Sequence, residues 1–215
     1  MHILRWRDLM SEGRKQRSPK GDSKPGFDVV ALASSAGGLT ALSEILSGLP
    51  SDFAASVLVV QHLDPRHRSL MANILSRRTP LSVKEAAEGD ALVPGKVFIA
   101  PPNRHLLVTP GGTASLSESE LVHFVRPSAD LLFESVAACY KERAICVVLT
   151  GTGSDGSMGV KAIKKMGGTV IVQDEKSSEF FGMPSAALQT GQVDFVLPLV
   201  EIAPALVTLV MKGPG

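Results

Sequence analysis

Four mainly apolar runs alternate with segments of helical periodicity, and this alternation limits the chain to a small set of folds. The runs are FDVVALAS (27–34), ASVLVVQH (55–62), AICVVLT (144–150) and TVIVQD (169–174). Each has strand length and is rich in valine, and none alternates strictly between apolar and polar residues. A strand apolar on both sides must be covered on both sides, as in a parallel sheet. The intervening segments supply the cover. Leu39, Leu42, Ile45, Leu46 and Leu49 recur at helical spacing, as do Leu70, Met71, Ile74 and Leu75. SADLLFESVAACYK (128–141), with Ser128 as its N-cap, and DGSMGVKAIKKMG (155–167) flank the third run as further helices. The expected fold class is therefore α/β: a mainly parallel, doubly wound sheet flanked by helices. Between them LSVKEA, GKVFIAPP, HLLVTP and TASLS are short strands joined by Gly/Pro turns, and Gly111–Gly112 makes the last two a mid-chain antiparallel hairpin on that sheet. A short helix PSAALQTG, a strand DFVLP and a helix from Leu199 to about Met211, with Pro204 in its first turn, complete the chain.

Composition narrows the function classes. At 215 residues and 44% apolar content the chain can bury one substantial core. Residues 1–26 differ from the rest: seven Lys/Arg against three Asp/Glu, with Gly, Ser and Pro clustered over 13–26. They are expected to form a basic, flexible N-terminal tail, and residues 27–215 the folded domain. The net charge of +1 and the scarcity of aromatics argue against a nucleic-acid partner. No apolar run is long enough for a membrane span, and the N-terminus has no signal-peptide core, so a cytoplasmic protein is expected. Cys139 and Cys146 lie in apolar segments without metal-ligand spacing, as reduced buried thiols would.

In folds of this class ligands meet the carboxyl ends of the strands. Three of those ends carry chemistry. The first strand runs into SSAGG, a strand-to-helix turn whose small residues leave a hydroxyl accessible, which makes Ser35 a candidate nucleophile and a helix cap the simpler alternative. The second ends in His62, either a packed histidine or a general base. The third runs into GTGSDG, which holds Asp155. Gly151, Gly153 and Gly156 also spell a dinucleotide fingerprint, and Asp174 stands where a ribose-binding acid would. A carboxylate between fingerprint glycines would repel phosphate, whereas it suits a group that orients His62. Ser35, His62 and Asp155 together supply nucleophile, base and orienter at one rim.

The blocks SSAGG, QHLDPRHRSLMANIL, GKVFIAPPNRHLLV, RPSADLLFESVA, GTGSDGSMGVKAIKKMGG and FGMPSAAL resemble, in order and spacing, the catalytic domain of the CheB chemotaxis-receptor methylesterases. The resemblance covers about residues 27–212. It implies hydrolysis of glutamyl γ-methyl esters on receptor helices with release of methanol, and in many members deamidation of receptor glutamines. It places the family's nucleophile, base and acid on Ser35, His62 and Asp155. Backbone N–H groups near Ala36 and Thr152 are the oxyanion candidates, with Gly153 and Met183 as further pocket residues. Arg126, in the RPS block, and Arg66 are candidates for substrate binding, and Arg126 is equally a structural brace. No cofactor is implied, and Pro65 between His62 and His67 argues against a metal pair on one helix face. The expected partner is a methylated chemoreceptor or a similar coiled-coil signalling protein.

Departures from the family pattern bear on activity. Ala33 and Ser34 stand for a Gly–Ala pair at the elbow, Ala36 for Thr, and Thr152 for a Met in the acid loop. Twenty-six residues ahead of the domain cannot form the family's receiver domain, so inhibition relieved by phosphorylation in cis is not expected, which leaves room for a separate regulatory partner. Two other readings stay open: a catalytically weak homologue acting as an adaptor, and a dinucleotide-binding oxidoreductase using Gly151–Gly156 and Asp174.

Overall fold

A computed structural model describes residues 27–62 and 70–212. The basic tail and Arg66 lie outside the described residues. The four apolar runs form β1 (Val29–Ser34), β2 (Ser56–Gln61), β7 (Ala144–Val148) and β8 (Thr169–Gln173), joined by β3 (Ser82–Glu85), β4 (Lys96–Ile99) and β9 (Phe195–Leu197). Together they make one seven-stranded sheet in the order β3-β4-β2-β1-β7-β8-β9, with every neighbouring pair parallel. The hairpin β5 (His105–Val108) and β6 (Ala114–Ser117) is antiparallel as expected, and it forms a sheet of its own.

All residues of β1, β2 and β7 are buried, which explains their unbroken apolar sequence. Val30, Leu32, Val57, Val59 and Val147 face a layer that includes α1 (Gly38–Ser47) and α6 (Leu199–Lys212). Val29, Ala31, Ala33, Val60 and Val148 face the opposite layer, where α3 (Ala129–Tyr140), α4 (Ser157–Lys165) and the hairpin pack. The short helices α2 (Met71–Ser76) and α5 (Gly182–Gln189) complete the two layers. Each fully buried Val or Leu contributes on the order of 1.5–3 kcal/mol, so the two cores fix the sheet firmly. Pro204 lies inside α6, beyond the first turn where the sequence reading put it. The N–H that Pro204 lacks would have faced the carbonyl of Val200, an exposed residue one turn earlier. Among the described residues no helix is long and apolar enough to cross a membrane.

Topology positions the site. The chain leaves β1 through α1 on one face, and leaves β7 through α4 on the other. The order of strands therefore reverses between β1 and β7, and a crevice opens at their carboxyl ends.

Candidate active site

Strand parity separates the two elbow serines. Ser34 shares the parity of Val30 and Leu32, points into the same layer and is 0% exposed. Its hydroxyl donates to Gln61 Oε1 at 2.6 Å. Ser35 is the first residue past the strand and is only half-buried. Its N–H donates to Thr150 O at 3.0 Å, and its carbonyl accepts from Gly38 N at 2.9 Å and from Gln61 Nε2 at 2.6 Å. Gly37 closes the turn at φ 77°, in the left-handed region, where an added Cβ would also lie 2.7 Å from Glu179 Oε2. Gly151 lets the third loop approach: a Cβ there would lie 2.8 Å from Ser35 Cβ.

His62 follows β2, and its N–H donates to Ser34 O at 3.1 Å. Its Nε2 lies 2.8 Å from Asp155 Oδ2. Gln61 Nε2 also donates to the His62 carbonyl, at 3.0 Å. One buried amide thus ties the Ser35 loop to the His62 loop. Gln61 was not singled out in the sequence, although its parity with Val57 and Val59 places it in the layer beneath Ser34.

Asp155 sits against the N-terminus of α3. Its Oδ1 accepts from Ser128 Oγ at 2.8 Å and Asp130 N at 3.1 Å; its Oδ2 accepts from Ala129 N at 2.6 Å. Ser128, expected as the cap of α3, makes no side-chain cap bond and gives its hydroxyl to Asp155 instead. The carboxylate caps the helix from outside, where orphan N–H groups and the helix dipole favour a negative charge. Burial pushes its pKa up, but the His62 hydrogen bond and the Ala129 and Asp130 N–H groups outweigh it and hold the carboxyl below its ordinary value. Ser128 N in turn donates to His105 Nδ1 at 3.1 Å, and His105 Nε2 bonds Glu120 O at 3.0 Å. His105, given no role from sequence, buttresses the acid through Ser128.

A cavity of about 360 Å³ opens at this crevice. Ser35, His62 and Asp155 line it together with Thr152 and Gly153; His123, Phe124 and Val125 line it too and were not predicted. No hydrogen bond joins Ser35 Oγ to His62 among the described residues. The Ala36 and Thr152 N–H groups likewise have no partner among the described residues. Ala36 gives its carbonyl to Thr150 Oγ1 at 3.0 Å. Met183 is buried behind Gly151, whose carbonyl accepts from Met183 N at 2.9 Å, and it does not line the cavity. Arg126 spends its guanidinium on Asn103 Oδ1 (3.0 and 2.7 Å) and on the carbonyls of Glu118 and Ser119 (2.8 and 2.7 Å). Those contacts brace a loop and leave the cavity untouched. Asp174 accepts from Ser177 N at 3.0 Å and Ser177 Oγ at 2.6 Å, so the supposed ribose-binding acid closes a local turn.

The model of the CheB methylesterase family matches residues 30–206. The chain belongs to the CheB methylesterase family. A protein-glutamate methylesterase/protein-glutamine glutaminase of Moorella thermoacetica is 44% identical over 196 residues, which are 89% of this chain and 46% of that protein. A putative enzyme of the same name from Leptospira interrogans is 39% identical and matches over 85% of this chain and 95% of its own length. The Thermotoga maritima CheB methylesterase catalytic domain superposes with a TM-score of 0.82 at 38% identity, covering 86% of this chain and 99% of that one. This chain thus spans under half of the Moorella relative and nearly all of the Leptospira one. The CheB fold, a parallel sheet flanked by helices with a separate two-stranded sheet, is the fold found here.

Proposed function

We propose that this CheB-family chain is a protein-glutamate methylesterase that hydrolyses glutamyl γ-methyl esters on a methylated chemoreceptor or a similar coiled-coil signalling protein. The observation that carries this reading is the 2.8 Å hydrogen bond between His62 and Asp155 on the wall of a cavity that Ser35 also lines. Ser35 Oγ attacks the ester carbonyl. Asp155 engages His62 Nε2, so Nδ1 is the nitrogen that takes the serine proton. The tetrahedral oxyanion forms beside the Ala36 and Thr152 N–H groups, which have no partner among the described residues; losing one such donor costs about 3–4 kcal/mol. Collapse expels methanol, protonated by His62, and leaves a glutamyl ester on Ser35. Water deprotonated by His62 then releases glutamate and frees the serine. A glutamine side chain follows the same course with ammonia as the leaving group.

Ser35 and His62 close to hydrogen-bonding distance when substrate fills the cavity, a tightening common to catalytic hydrogen bonds that are long in the free enzyme. The internal contacts of Arg126 favour bracing over substrate binding. Thr152 offers its backbone N–H in the loop where the family carries Met, which is compatible with activity. Two free cysteines and the absence of a membrane-length helix among the described residues suit a cytoplasmic enzyme.

The test is release of volatile radioactivity from a receptor fragment carrying tritiated methyl esters. The full chain should release methanol, and Ser35→Ala should lose on the order of 10⁴-fold or more of that rate while staying folded. A wild-type chain that binds the fragment without releasing methanol would favour the adaptor reading instead.

A further inference from the structure

The cavity mouth carries a turn that the proposed chemistry does not use. Val125 N donates to Val122 O at 2.9 Å, and Val122 N to Val125 O at 3.2 Å. The two residues between them, His123 and Phe124, have φ of 49° and 65°. Such turns favour Gly, Asn and Asp, because a left-handed backbone crowds a bulky side chain. Phe124 occupies this strained position, is 94% exposed, and lines the cavity that holds Ser35 and His62. A left-handed backbone at a ring that lines the cavity points to a gain that appears only when something covers the ring.

The turn is anchored through His123, whose Nε2 lies 3.3 Å from Asp130 Oδ2. That contact has ion-pair distance without hydrogen-bond alignment, so this buried carboxylate oxygen has no hydrogen-bond partner among the described residues. Asp130 is tied to the catalytic centre, since its own N–H donates to Asp155 Oδ1. The rim and the proposed catalytic acid are therefore held by the same turn of α3.

A cavity of about 360 Å³ takes the end of one side chain, not a folded segment. A protein-bound glutamyl ester that reaches Ser35 must leave its main chain outside, against the rim. We infer that Phe124 is a specificity-determining residue, positioned by the His123–Asp130 contact to pack on an apolar side chain of the helix that carries the esterified glutamate. This rests on the esterase reading above. Neighbours three or four residues apart on a helix are about 5–6 Å apart, so an apolar residue one turn from the glutamate comes within reach of the ring.

The experiment compares the full chain with Phe124→Ala, Phe124→Leu and His123→Ala on two substrates, a tritiated methyl-esterified receptor fragment and p-nitrophenyl acetate. Phe124 is exposed, so its truncation leaves the core intact. Phe124→Ala should raise KM for the fragment about tenfold with kcat held within about twofold, and Phe124→Leu should recover most of the loss. The ratio of kcat/KM between fragment and small ester should fall by a similar factor. His123→Ala should raise the fragment KM about threefold, because the ring loses its fixed position. An unchanged fragment KM in Phe124→Ala, or an equal loss on both substrates, would overturn the inference while wild-type methanol release left the esterase reading intact. A wild type that releases no methanol would remove both.

Discussion

The floor of the cavity and its rim are built on opposite terms. At the floor Asp155, and in the layer behind it Ser34, Gln61 and Thr150, are buried and hydrogen-bonded, and Asp155 takes three donors besides His62. On the rim, Phe124 faces solvent from a left-handed backbone, and Asp130, which anchors the rim through His123, keeps a buried oxygen without a hydrogen-bond partner among the described residues. The two acids make the contrast sharp, because both sit at the N-terminus of α3. Hydrogen bonds hold Asp155 below its ordinary pKa. Burial raises Asp130, and the neighbouring Asp155 charge adds to that rise. Rigid, satisfied dipoles suit the place where charge develops during reaction. Unsatisfied and exposed groups suit a surface that gains its partners on binding.

The comparison breaks most visibly at the floor. Asp155→Asn should keep the shape of the site but remove the acceptor that orients His62, lowering kcat by roughly 10³–10⁴-fold. A loss under tenfold in steady-state methanol release would mean that Asp155 serves only α3. A smaller effect is expected at Gln61, which positions both loops without touching the substrate. Gln61→Met keeps the volume and deletes three hydrogen bonds, so kcat should fall about 10–100-fold with KM little changed, as a misplacement of about 1 Å would cause. Equal changes in kcat and KM would assign Gln61 to substrate binding instead.

The smallest effects separate the two acids by stability. Because the folded pKa of Asp155 is depressed, its contribution is present above the ordinary carboxylate value of 3.8 and is lost as pH falls through the lowered folded value. Because the folded pKa of Asp130 is raised, ionising it costs stability as pH rises from 3.8 through the raised value. Denaturant unfolding at pH 7 should therefore find Asp155→Asn about 1–3 kcal/mol less stable than wild type. Asp130→Asn should be as stable as wild type or up to about 1 kcal/mol more stable. Both differences should shrink as pH approaches 3. Matching signs at pH 7 would erase the distinction between floor and rim.

Much of this was legible in the sequence where the signal is local. The apolar runs became β1, β2, β7 and β8 because doubly covered strands need no alternation. The short middle segments carried less information: Gly111–Gly112 marked β5 and β6 as a hairpin, but nothing local showed that they would form a sheet of their own while β3 and β4 joined the main one. Helical spacing placed Leu39 and Ile74 with the apolar faces, yet both are exposed, since the buried stripe of α1 is carried by Ala41, Leu42, Ile45 and Leu46 and that of α2 by Met71 and Leu75. Ser35 and His62 were readable because each directly follows a strand, and Asp155 because it lies in the glycine loop between β7 and α4. Gln61 was within reach of a parity argument that the sequence reading did not make. His123, Phe124 and Asp130 were not, because their roles depend on how the loop before α3 folds back over β7's end. Arg126 was visible as charge, but its partners at Asn103, Glu118 and Ser119 come from that same folding-back.

The central claim is that Ser35, not its buried neighbour Ser34, carries the acyl group. A serine-directed fluorophosphonate, followed by peptide mass mapping and parallel assay of methanol release, tests it most directly. One adduct per chain on Ser35, with methanol release lost in proportion to labelling, is the predicted result. An adduct on Ser34, or full methanol release from chains labelled at Ser35, would contradict it.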